Sequence, residues 1–401
     1  MEVKEASAKY SRASGYKHTE VGVIPEDWDV SPLEEFTSFI SYGFTNPMPT
    51  SVSGVYMITA KDIYNGRIQF DTARSTTEEA YRTLLTAKSR PKKGDLLLTK
   101  DGTLGRLALV DERTVCINQS VAILRPNTKA SPQFLKILLE APAYQSRMIE
   151  DAGGSTIKHI YITIVNRMPL AVPPTKAEQE AIAEALSDAD ALIESLEQLL
   201  VKKRHLKQGA MQQLLTGKKR LPGFSGEWEV KRLGDVASLY QPLTISAHQF
   251  TAAGYPVYGA NGVVGFFDKF NHDSWQVTVT CRGSTCGTVN RTVEKCWITG
   301  NAMVVNCEDN KEVNKNFLYY LLTLQDLTIC ITGTGQPQIV RTPLANFELN
   351  IPSDVTEQTA IATLLSDMDA ELAALETKLA KARNLKQGMM QELLTGRIRL
   401  V

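Results

Sequence analysis

The sequence contains one segment of about 50 residues twice. Val172–Leu221 aligns without a gap on Ile351–Leu400 at a constant offset of 179, and about 28 of those positions are identical. Chance does not produce such a match, and self-similarity at a fixed spacing indicates a duplicated structural unit. A weaker match relates the residues around Trp28 to those around Trp228. The chain therefore has the order variable segment, shared segment, variable segment, shared segment.

Each shared segment is predicted to be one long helix. Glu178–Leu215 contains no proline, and Thr175 before it and Asp354 in the second copy are typical N-terminal caps. Apolar residues recur in alternating steps of four and three, which is a heptad pattern that has to be buried. The predicted coiled-coil positions are Ile182, Leu186, Ala189, Ile193, Leu196 and Leu200 in the first copy, and Ile361, Leu365, Met368, Leu372, Leu375 and Leu379 in the second.

Two helices with matching heptad stripes are predicted to pair with each other. The alternative is that each helix packs only on the core of its own domain, but that arrangement does not require outward-facing residues to match as well. Several polar positions outside the stripe are nevertheless identical in the two copies, which predicts that each copy binds one of two identical partner proteins. The predicted partner-binding residues are Lys207, Gln208 and Gln212, and their duplicates Lys386, Gln387 and Gln391.

The variable segments have a pattern of short strands and turns. We therefore predict an α+β protein with two α/β domains, separated by two long helices that pair as an antiparallel coiled coil with a pseudo-twofold internal repeat. The predicted boundaries are an N-terminal extension at 1–23, a first variable domain at 24–171, a first helical region at 172–221, a second variable domain at 222–350 and a second helical region at 351–401.

Each variable segment has a strand-like run that enters a glycine loop, with KDGTLG in Gly94–Val110 and CRGSTCG in Gln276–Asn290. A hairpin turn explains either loop taken alone, and the spacing of a nucleotide-binding P-loop is absent. The same loop type recurs in both halves beside basic and amide side chains that can bind base edges, so we predict DNA contact. The candidate DNA-binding residues are Lys61, Lys92, Lys100, Thr103, Arg106, Asn118, Gln119, Lys158 and His159 in the first segment, and Asn261, Arg282, Ser284, Arg291, Asn301, Gln336 and Gln338 in the second.

Composition excludes few functions here. The chain has 44 basic and 44 acidic residues, and this balance argues neither for nor against nucleic acid because binding depends on where charges lie. No apolar stretch is long enough to cross a membrane, and the N-terminus lacks the apolar core of a signal peptide, so we expect a cytoplasmic protein. The six cysteines form no CxxC pair, so free thiols are expected rather than a metal site.

No catalytic motif is evident in the sequence. The glycine motif of AdoMet-binding enzymes, helicase motifs, GxSxG and HExxH are all missing. Asp188 and Asp190, repeated as Asp367 and Asp369, could be read as paired carboxylates, but their place in a heptad helix favours a solvated face or a partner contact. We therefore predict a chain that is not an enzyme and holds no cofactor of its own.

The sequence resembles the specificity subunits of type I restriction–modification systems. The resemblance is carried by the order of the segments, by GYKHTEVGVIPEDWDV near the N-terminus, by YPVYGANGVVGFFDKFN at Tyr255–Asn271, and by LKQGAMQQLLTG with its second copy, and it covers essentially the whole chain. It implies two target-recognition domains, each of which reads one half of an asymmetric bipartite site in double-stranded DNA, and helices that set the spacing between the halves.

The same resemblance implies a set of partners. These are two methyltransferase subunits, which use AdoMet to methylate adenine, and two restriction subunits, which consume ATP with Mg²⁺ as they translocate DNA. The first domain lacks the YPVYGANG form, which implies that the two domains are of different subtypes. Two other functions compete with this one: a coiled-coil scaffold that binds protein without sequence-specific DNA binding, and a stand-alone DNA-binding regulator, which the neutral net charge disfavours.

Overall fold

The computed structural model describes residues 10–11, 15–153, 158–260, 262–333 and 337–400. They form two compact units, which consist of the described residues of Met1–Ser195 with Leu379–Val401, and of Leu196–Lys378. The chain passes from one unit to the next inside each long helix, not at the predicted domain boundaries. Each unit consequently contains the first part of one long helix and the last part of the other.

The first unit contains the first variable domain. Its strands are β1 (Tyr10–Ser11), β2 (Tyr16–Thr19), β3 (Gly22–Pro25), β4 (Asp29–Pro32), β5 (Thr37–Tyr42), β6 (Val55–Ile58), β7 (Ile63–Tyr64), β8 (Arg67–Ile68), β9 (Arg74–Thr76), β10 (Leu96–Thr99), β11 (Leu107–Leu109), β12 (Val115–Ile117), β13 (Val121–Pro126) and β14 (Pro169–Val172). Its helices are α1 (Glu78–Leu84), α2 (Pro132–Glu140), α3 (Pro142–Glu150), α4 (Ile162–Arg167) and the start of α5 (Lys176–Leu214).

Two sheets form the body of this domain. One is antiparallel with the order β11-β10-β13-β5, and the other has the order β12-β6-β9 with β12 parallel to β6. Successive residues of a strand face opposite sides of its sheet. Leu96 and Leu98 of β10 therefore lie in one core with Phe134 of α2, while Leu97 lies in a second core with Ile117 of β12. The apolar run LLL is buried on both faces for this reason.

The second unit repeats this plan. Its strands are β15 (Trp228–Arg232), β16 (Ser238–Tyr240), β17 (Tyr255–Gly259), β18 (Gly262–Phe267), β19 (Val277–Thr280), β20 (Val289–Arg291), β21 (Trp297–Ile298), β22 (Ala302–Asn306), β23 (Ile331–Thr332), β24 (Gln338–Ile339) and β25 (Glu348–Pro352). Its helices are α6 (Leu233–Val236), α7 (Lys315–Leu324), α8 (Arg341–Ala345) and the start of α9 (Val355–Leu393), after which β26 (Arg399–Leu400) returns to the first unit.

The sheets of the second unit have the orders β20-β19-β22-β16 and β18-β17-β21, and β21 is again parallel to the strand beside it. Each of these strands has a counterpart at the same place in the first unit. The pairing of β15 with β25 likewise repeats the pairing of β4 with β14. The two variable domains therefore share one topology, although their sequences have diverged.

The long helices run antiparallel within each unit. In the second unit, Lys203 of α5 binds Glu371 of α9 at 2.6 Å, while Lys207, one turn later, binds Asp369, two positions earlier on its helix than Glu371. In the first unit, the Lys386 ammonium of α9 lies 2.5 Å from Asp190 of α5. Of the described residues, no helix is both long and apolar enough to span a membrane.

The heptad positions fall into two groups according to what covers them. Ile182 and Leu186 lie in the core of the first domain, and Ile361 and Leu365 lie in the core of the second, so the first turns of each helix pack on their own domain. Later heptad positions are covered by the helix pair and are less uniformly enclosed: Leu196, Leu200 and Leu379 are buried, whereas Ala189, Ile193, Met368, Leu372 and Leu375 are half-buried.

An ion pair joins the end of one helical region to the start of the other in each unit. In the second unit the Arg220 guanidinium binds both carboxylate oxygens of the fully buried Glu357. In the first unit Arg399 binds Glu178, with Nη2 to Oε2 at 2.7 Å, and also binds both oxygens of Asp27 at 2.9 Å. Hydrogen bonds to Glu178 and Asp27 raise the pKa of Arg399 above its ordinary value.

The predicted N-terminal caps of both long helices are confirmed. The Thr175 hydroxyl accepts the backbone N–H of Glu178 at 3.3 Å, as an N-cap does. The Glu178 carboxylate is bound by Arg399. In the second copy Asp354 accepts the backbone N–H of Thr356 at 2.8 Å.

We expect the two ion pairs to differ in their sensitivity to removal of the glutamate charge. After Glu178→Gln, Arg399 keeps the Asp27 carboxylate as a partner, whereas after Glu357→Gln, Arg220 keeps the neutral carbonyl of Gly226, 2.9 Å away, and the Trp228 ring, 5.8 Å from its guanidinium. Removing one partner of an ion pair that contains a buried carboxylate is destabilising, most of all where the arginine has no second carboxylate to bind. Glu357→Gln should therefore reduce the protection of backbone amides from hydrogen exchange in the second unit more than Glu178→Gln does in the first unit.

Hydrogen–deuterium exchange of the full chain measures both effects at once, from peptides that cover β14 and β25. The matched control is Glu376→Gln, which removes an exposed pair with Arg204 and should change stability by less than about 1 kcal/mol. Equal loss of protection in the two units would contradict the role given to Asp27.

Candidate nucleic-acid interface

The glycine loop of the first domain lies between two other polar segments. The Lys100 backbone N–H donates to the Ser120 carbonyl at 2.9 Å, and the Lys100 carbonyl accepts the Ile160 N–H at 2.9 Å. Lys100 is thus held beside the turn of Asn118 and Gln119 on one side and beside His159 on the other. Three segments that are far apart in sequence, each with predicted DNA-binding residues, meet at this end of β10.

The second domain uses the same backbone bonds. The Cys281 N–H donates to the Asn301 carbonyl at 3.1 Å, and the Cys281 carbonyl accepts the Ile339 N–H at 2.9 Å. Arg282 forms an isolated bridge with Gln338, as Asp101 does with His159 in the first domain. The predicted residues Arg282, Asn301 and Gln338 therefore lie together.

A glycine ends each loop for the same structural reason. The Gly105 N–H donates to the Thr99 carbonyl and the Gly287 N–H to the Thr280 carbonyl, both at 2.9 Å. These glycines have φ values of 80° and 93°, a region that other residues rarely adopt. The two loops therefore have a common frame on which different side chains are displayed.

Asp101 balances part of the positive charge in the first loop. Its carboxylate accepts Lys100 Nζ at 2.6 Å and bonds His159 Nδ1. Burial alone would raise the pKa of Asp101, but the hydrogen bonds from His159 and Lys100 outweigh burial, and the pKa is lowered. The Lys100 ammonium also lies 5.6 Å from the centre of the exposed Tyr42 ring, a cation–π contact.

Two further cations lie at the same end of the sheet. Arg106 ends the loop, and its Nη1 donates to the carbonyl of Ile63 at 3.1 Å. The exposed Lys61 follows Ala60, whose N–H donates to the Ser120 hydroxyl at 3.0 Å. The first domain therefore presents Lys61, Lys100 and Arg106 near one another.

The structure does not bring every predicted residue to these two sites. Lys92 precedes β10 and lies at the opposite end of that strand from Lys100. Arg291 pairs with Val277 at the far end of the β19–β20 hairpin, and its guanidinium lies 4.0 Å from the centre of the Trp275 ring. Thr103 and Ser284 are exposed within the loops, Lys158 is exposed beside His159, and Asn261 and Gln336 lie outside the described residues.

The predicted partner-binding residues also divide into two groups. Lys207 and Lys386 are engaged within the protein, since they bind Asp369 and Asp190 of the neighbouring helix. Gln208, Gln212, Gln387 and Gln391 are exposed. The expectation that the repeated aspartates form a solvated face is likewise modified, because Asp369 also accepts the Tyr320 hydroxyl at 2.7 Å.

All six cysteines are free thiols, as predicted, and all of them are buried. Burial raises the pKa of Cys116 to about 12 and that of Cys307 to about 11, so both remain protonated at neutral pH. Over the described residues there is no cluster of three or more side chains suited to hold a metal ion.

Sequence reasoning missed Asp101, Ser120 and the two tyrosines Tyr42 and Tyr64. Asp101 lies within the KDGTLG loop and Ser120 directly follows the candidates Asn118 and Gln119, but their importance comes from bonds to distant segments. Tyr64 had a detectable signal, because it precedes Asn-Gly in IYNGRI, a sequence typical of a tight β-hairpin. Its position beside Arg106 could not be read from that pattern.

Together these features define a protein built from two copies of one recognition domain, each joined to a shared pair of helices. The chain belongs to the family described as the type I restriction modification DNA specificity domain, whose model matches residues 25–202 and 225–383. It is a DNA-specificity protein of the type I restriction–modification class and not merely a protein-binding scaffold.

Individual relatives agree with this assignment. The putative type I restriction enzyme MjaX specificity subunit of Methanocaldococcus jannaschii is 23% identical over 98% of each chain, and the MjaVIII specificity subunit of the same organism is 22% identical over 94% of each chain. The crystal structure of a type I S subunit from M. genitalium superposes with a TM-score of 0.63 at 18% identity, covering 91% of this chain and 96% of that chain. A chain from a structure that describes complex assembly in a type I R-M system superposes with a TM-score of 0.54 at 16% sequence identity, covering 93% of this chain and 99% of that chain. The structural matches show the fold.

We expect Asp101→Asn to strengthen non-specific DNA binding, because it frees Lys100 for a phosphate. Each added phosphate contact steepens the dependence of log K on log salt by about 0.9. Titration of the assembled complex with a duplex of arbitrary sequence at several salt concentrations measures this slope. The matched control is Asp111→Asn, since Asp111 binds Arg113 beyond the other end of β11. An unchanged slope for Asp101→Asn would show that Lys100 does not approach DNA.

Proposed function

We propose that this chain recognises an asymmetric bipartite DNA sequence, with one half bound by each variable domain, and directs adenine methylation or cleavage by partner subunits. The observation that carries the proposal is the pair of loops, Lys100–Arg106 and Cys281–Thr288, held by equivalent backbone bonds but displaying different side chains. A common frame with different side chains suits the recognition of two different base sequences, because base edges are distinguished by the donors and acceptors that approach them.

The side chains of the two loops support different half-sites. The first domain offers Lys100 and Arg106 with Asn118 and Gln119 nearby, whereas the second offers the exposed Arg282 beside Asn301 and Gln338. Arginine binds guanine through two hydrogen bonds, and amide side chains suit adenine. We infer that the residues at these two loop ends include the base contacts, while Lys92 and Arg291 lie away from them.

We further propose that the chain contributes recognition and no chemistry. In this proposal two methyltransferase subunits carry AdoMet, and two restriction subunits carry ATP and Mg²⁺, so this chain needs no cofactor. The complex would act in the cytoplasm, where the DNA lies. The acidic residues of the long helices are consistent with this role, because Asp190 and Asp369 serve as ion-pair partners of lysines on the neighbouring helix.

The surface proposed for the partner subunits occurs once on each helical repeat. Gln208 and Gln212 are exposed together with Leu206, which is 50% exposed, and Gln387 and Gln391 are exposed together with Leu385, which is 61% exposed. Large apolar side chains left in water at equivalent positions of two near-identical segments suit two copies of one partner. Leu206 and Leu385 thus replace the engaged lysines in the proposed surface.

Exchange of the first domain for that of a relative should change one half of the methylated sequence. Val30 and Leu170 are suitable junctions because they lie close together on the paired strands β4 and β14, so the exchanged segment begins and ends at one strand pair. The co-expressed chain and methyltransferase are assayed by mapping methylated adenines in cellular DNA. The matched exchange of 230–349 in the second domain should change the other half, and a change in both halves after either exchange would contradict modular recognition.

Substitution of the exposed leucines should weaken partner binding one copy at a time. Leu206→Glu should reduce the complex to one bound methyltransferase subunit, Leu385→Glu should do the same, and the double variant should bind none at the concentrations tested. Native mass spectrometry of the purified complexes gives the stoichiometry. Leu364→Glu serves as the control because Leu364 is also exposed on α9 but lies outside the repeated LKQG motif. Two bound copies in the double variant would contradict the proposed surface.

A further inference from the structure

The first domain has a small hairpin that has no counterpart among the described residues of the second. Strands β7 and β8 form this hairpin, Ile63–Ile68, which lies between β6 and β9 and packs on β11. At the equivalent place in the second domain, β17 ends at Gly259 and β18 begins at Gly262, so there is no room for such an element. The hairpin is therefore an addition to the shared recognition domain.

The hairpin is held firmly at its base. Asn65 and Gly66 have φ values of 49° and 70°, as the central residues of a type I′ turn require. Ile63 is fully buried, and the buried Asp62 before it accepts the Thr59 N–H at 2.9 Å and the Thr72 hydroxyl at 2.9 Å. These bonds join both ends of the added segment.

A further contact joins the hairpin to the helix α5. Arg67 donates from Nη1 and Nη2 to the two carboxylate oxygens of Glu194 at 3.0 and 2.7 Å. Both side chains are well exposed, so this pair contributes little to stability, but its two parallel bonds specify an orientation. The side of the hairpin that bears Arg67 is thus tied to α5.

The side that bears Tyr64 contacts the loop residue Arg106. The Arg106 guanidinium lies 5.1 Å from the centre of the Tyr64 ring, and its Nη1 donates to the carbonyl of Ile63 at 3.1 Å. The Arg106 backbone N–H is bound by the Thr99 hydroxyl at 2.9 Å. The conformation of Arg106 is therefore fixed before any ligand binds. Thr99 holds its backbone, the Tyr64 ring orients the guanidinium plane, and the Ile63 carbonyl binds one guanidinium N–H.

An arginine held in this way is suited to guanine. The guanidinium has five N–H groups, of which the Ile63 carbonyl uses one, so two that point in one direction remain for the paired acceptors O6 and N7 of guanine. Ordering a long side chain at an interface costs conformational entropy, and prior orientation by Tyr64 reduces this cost. Tyr64 is itself 52% exposed and Arg106 is half-buried, so both side chains are partly accessible to a ligand.

The second domain has a different residue at this position. The Thr280 N–H donates to the Thr288 carbonyl as the Thr99 N–H donates to the Arg106 carbonyl, both at 2.9 Å. Thr288 therefore occupies the place of Arg106, and it has neither the guanidinium group nor the supporting hairpin.

We propose that the Ile63–Ile68 hairpin is a positioning element, and that through Tyr64 it presents Arg106 as a guanine-binding side chain specific to the half-site of the first domain. This inference rests on the proposed function. Tyr64 is the positioning residue and Arg106 the base-contacting residue.

The test uses the full chain co-expressed with its methyltransferase partner, with methylated sites mapped in cellular DNA and relative affinities measured on duplexes that differ at one base pair. Arg106→Lys keeps the charge but loses the paired donors. It should relax one G·C position in the half-site of the first domain, with preference for guanine reduced about 10- to 100-fold. Tyr64→Leu should relax the same position by a smaller factor, and Tyr64→Phe, which keeps the ring, should retain the preference.

The matched control is Arg113→Lys, because Arg113 also lies over an aromatic ring, that of Phe70 at 3.6 Å, but away from the loop. The Arg113→Lys variant should recognise the same DNA sequence as the parent chain. Thermal unfolding of each variant verifies that specificity is compared between folded proteins.

Four results would overturn the proposal, three of them with Arg106→Lys and one with the Tyr64 variants. Arg106→Lys could leave every position unchanged, or weaken all sequences equally as loss of a phosphate contact does, or relax a position in the half-site of the second domain. Equal guanine preference in Tyr64→Leu and Tyr64→Phe would remove the role of the hairpin. Failure of the proposed function is distinct from all of these, because the parent complex itself would then methylate no bipartite sequence.

Discussion

The ion pair between an arginine at the end of one helical region and a glutamate at the start of the other is the contact on which each unit depends. Glu178 and Glu357 are almost completely buried, and a carboxylate in such a place has to be paired. Arg399 and Arg220 are the partners, and each comes from the helical region whose first turns belong to the other unit. The first unit is consequently completed by the last residues of the chain, and it cannot be understood from its own contiguous sequence.

This arrangement explains why the shared segments are so similar and the loops so different. One helical segment has to cap a domain core with its first turns, pair with its duplicate, and complete the other unit with its last turns, so nearly every face is constrained. The glycine loops carry a different kind of constraint. Their course is held by backbone bonds such as those of Lys100 and Cys281, and these bonds do not depend on the side chain. Side chains at the loop can therefore change without loss of the fold.

The sequence predicted the helices, their heptad positions and the grouping of most loop residues, because each depends on a local pattern or on the internal repeat. The positions of Lys92 and Arg291 could not be predicted from the sequence. Both are basic residues close to the strands that carry the glycine loops, but each lies at the end of its strand opposite the loop. The role of Lys207 and Lys386 was also hidden. Identity between two copies shows that a residue matters in both, but it does not distinguish a partner contact from an ion pair with the neighbouring helix.

What the sequence determined by itself is the two-fold plan: duplicated helical segments, divergent domains and a recurring glycine loop. Periodicity and self-similarity are properties of the chain, and they survive without knowledge of contacts. The tertiary structure alone decided which residues meet. Arg106 lies on Tyr64, Asp101 binds both Lys100 and His159, and Arg399 reaches Asp27 across most of the length of the chain. These pairings arise from sheet order and the antiparallel course of the helices, which bring together segments whose separation in sequence carries no sign of their contact.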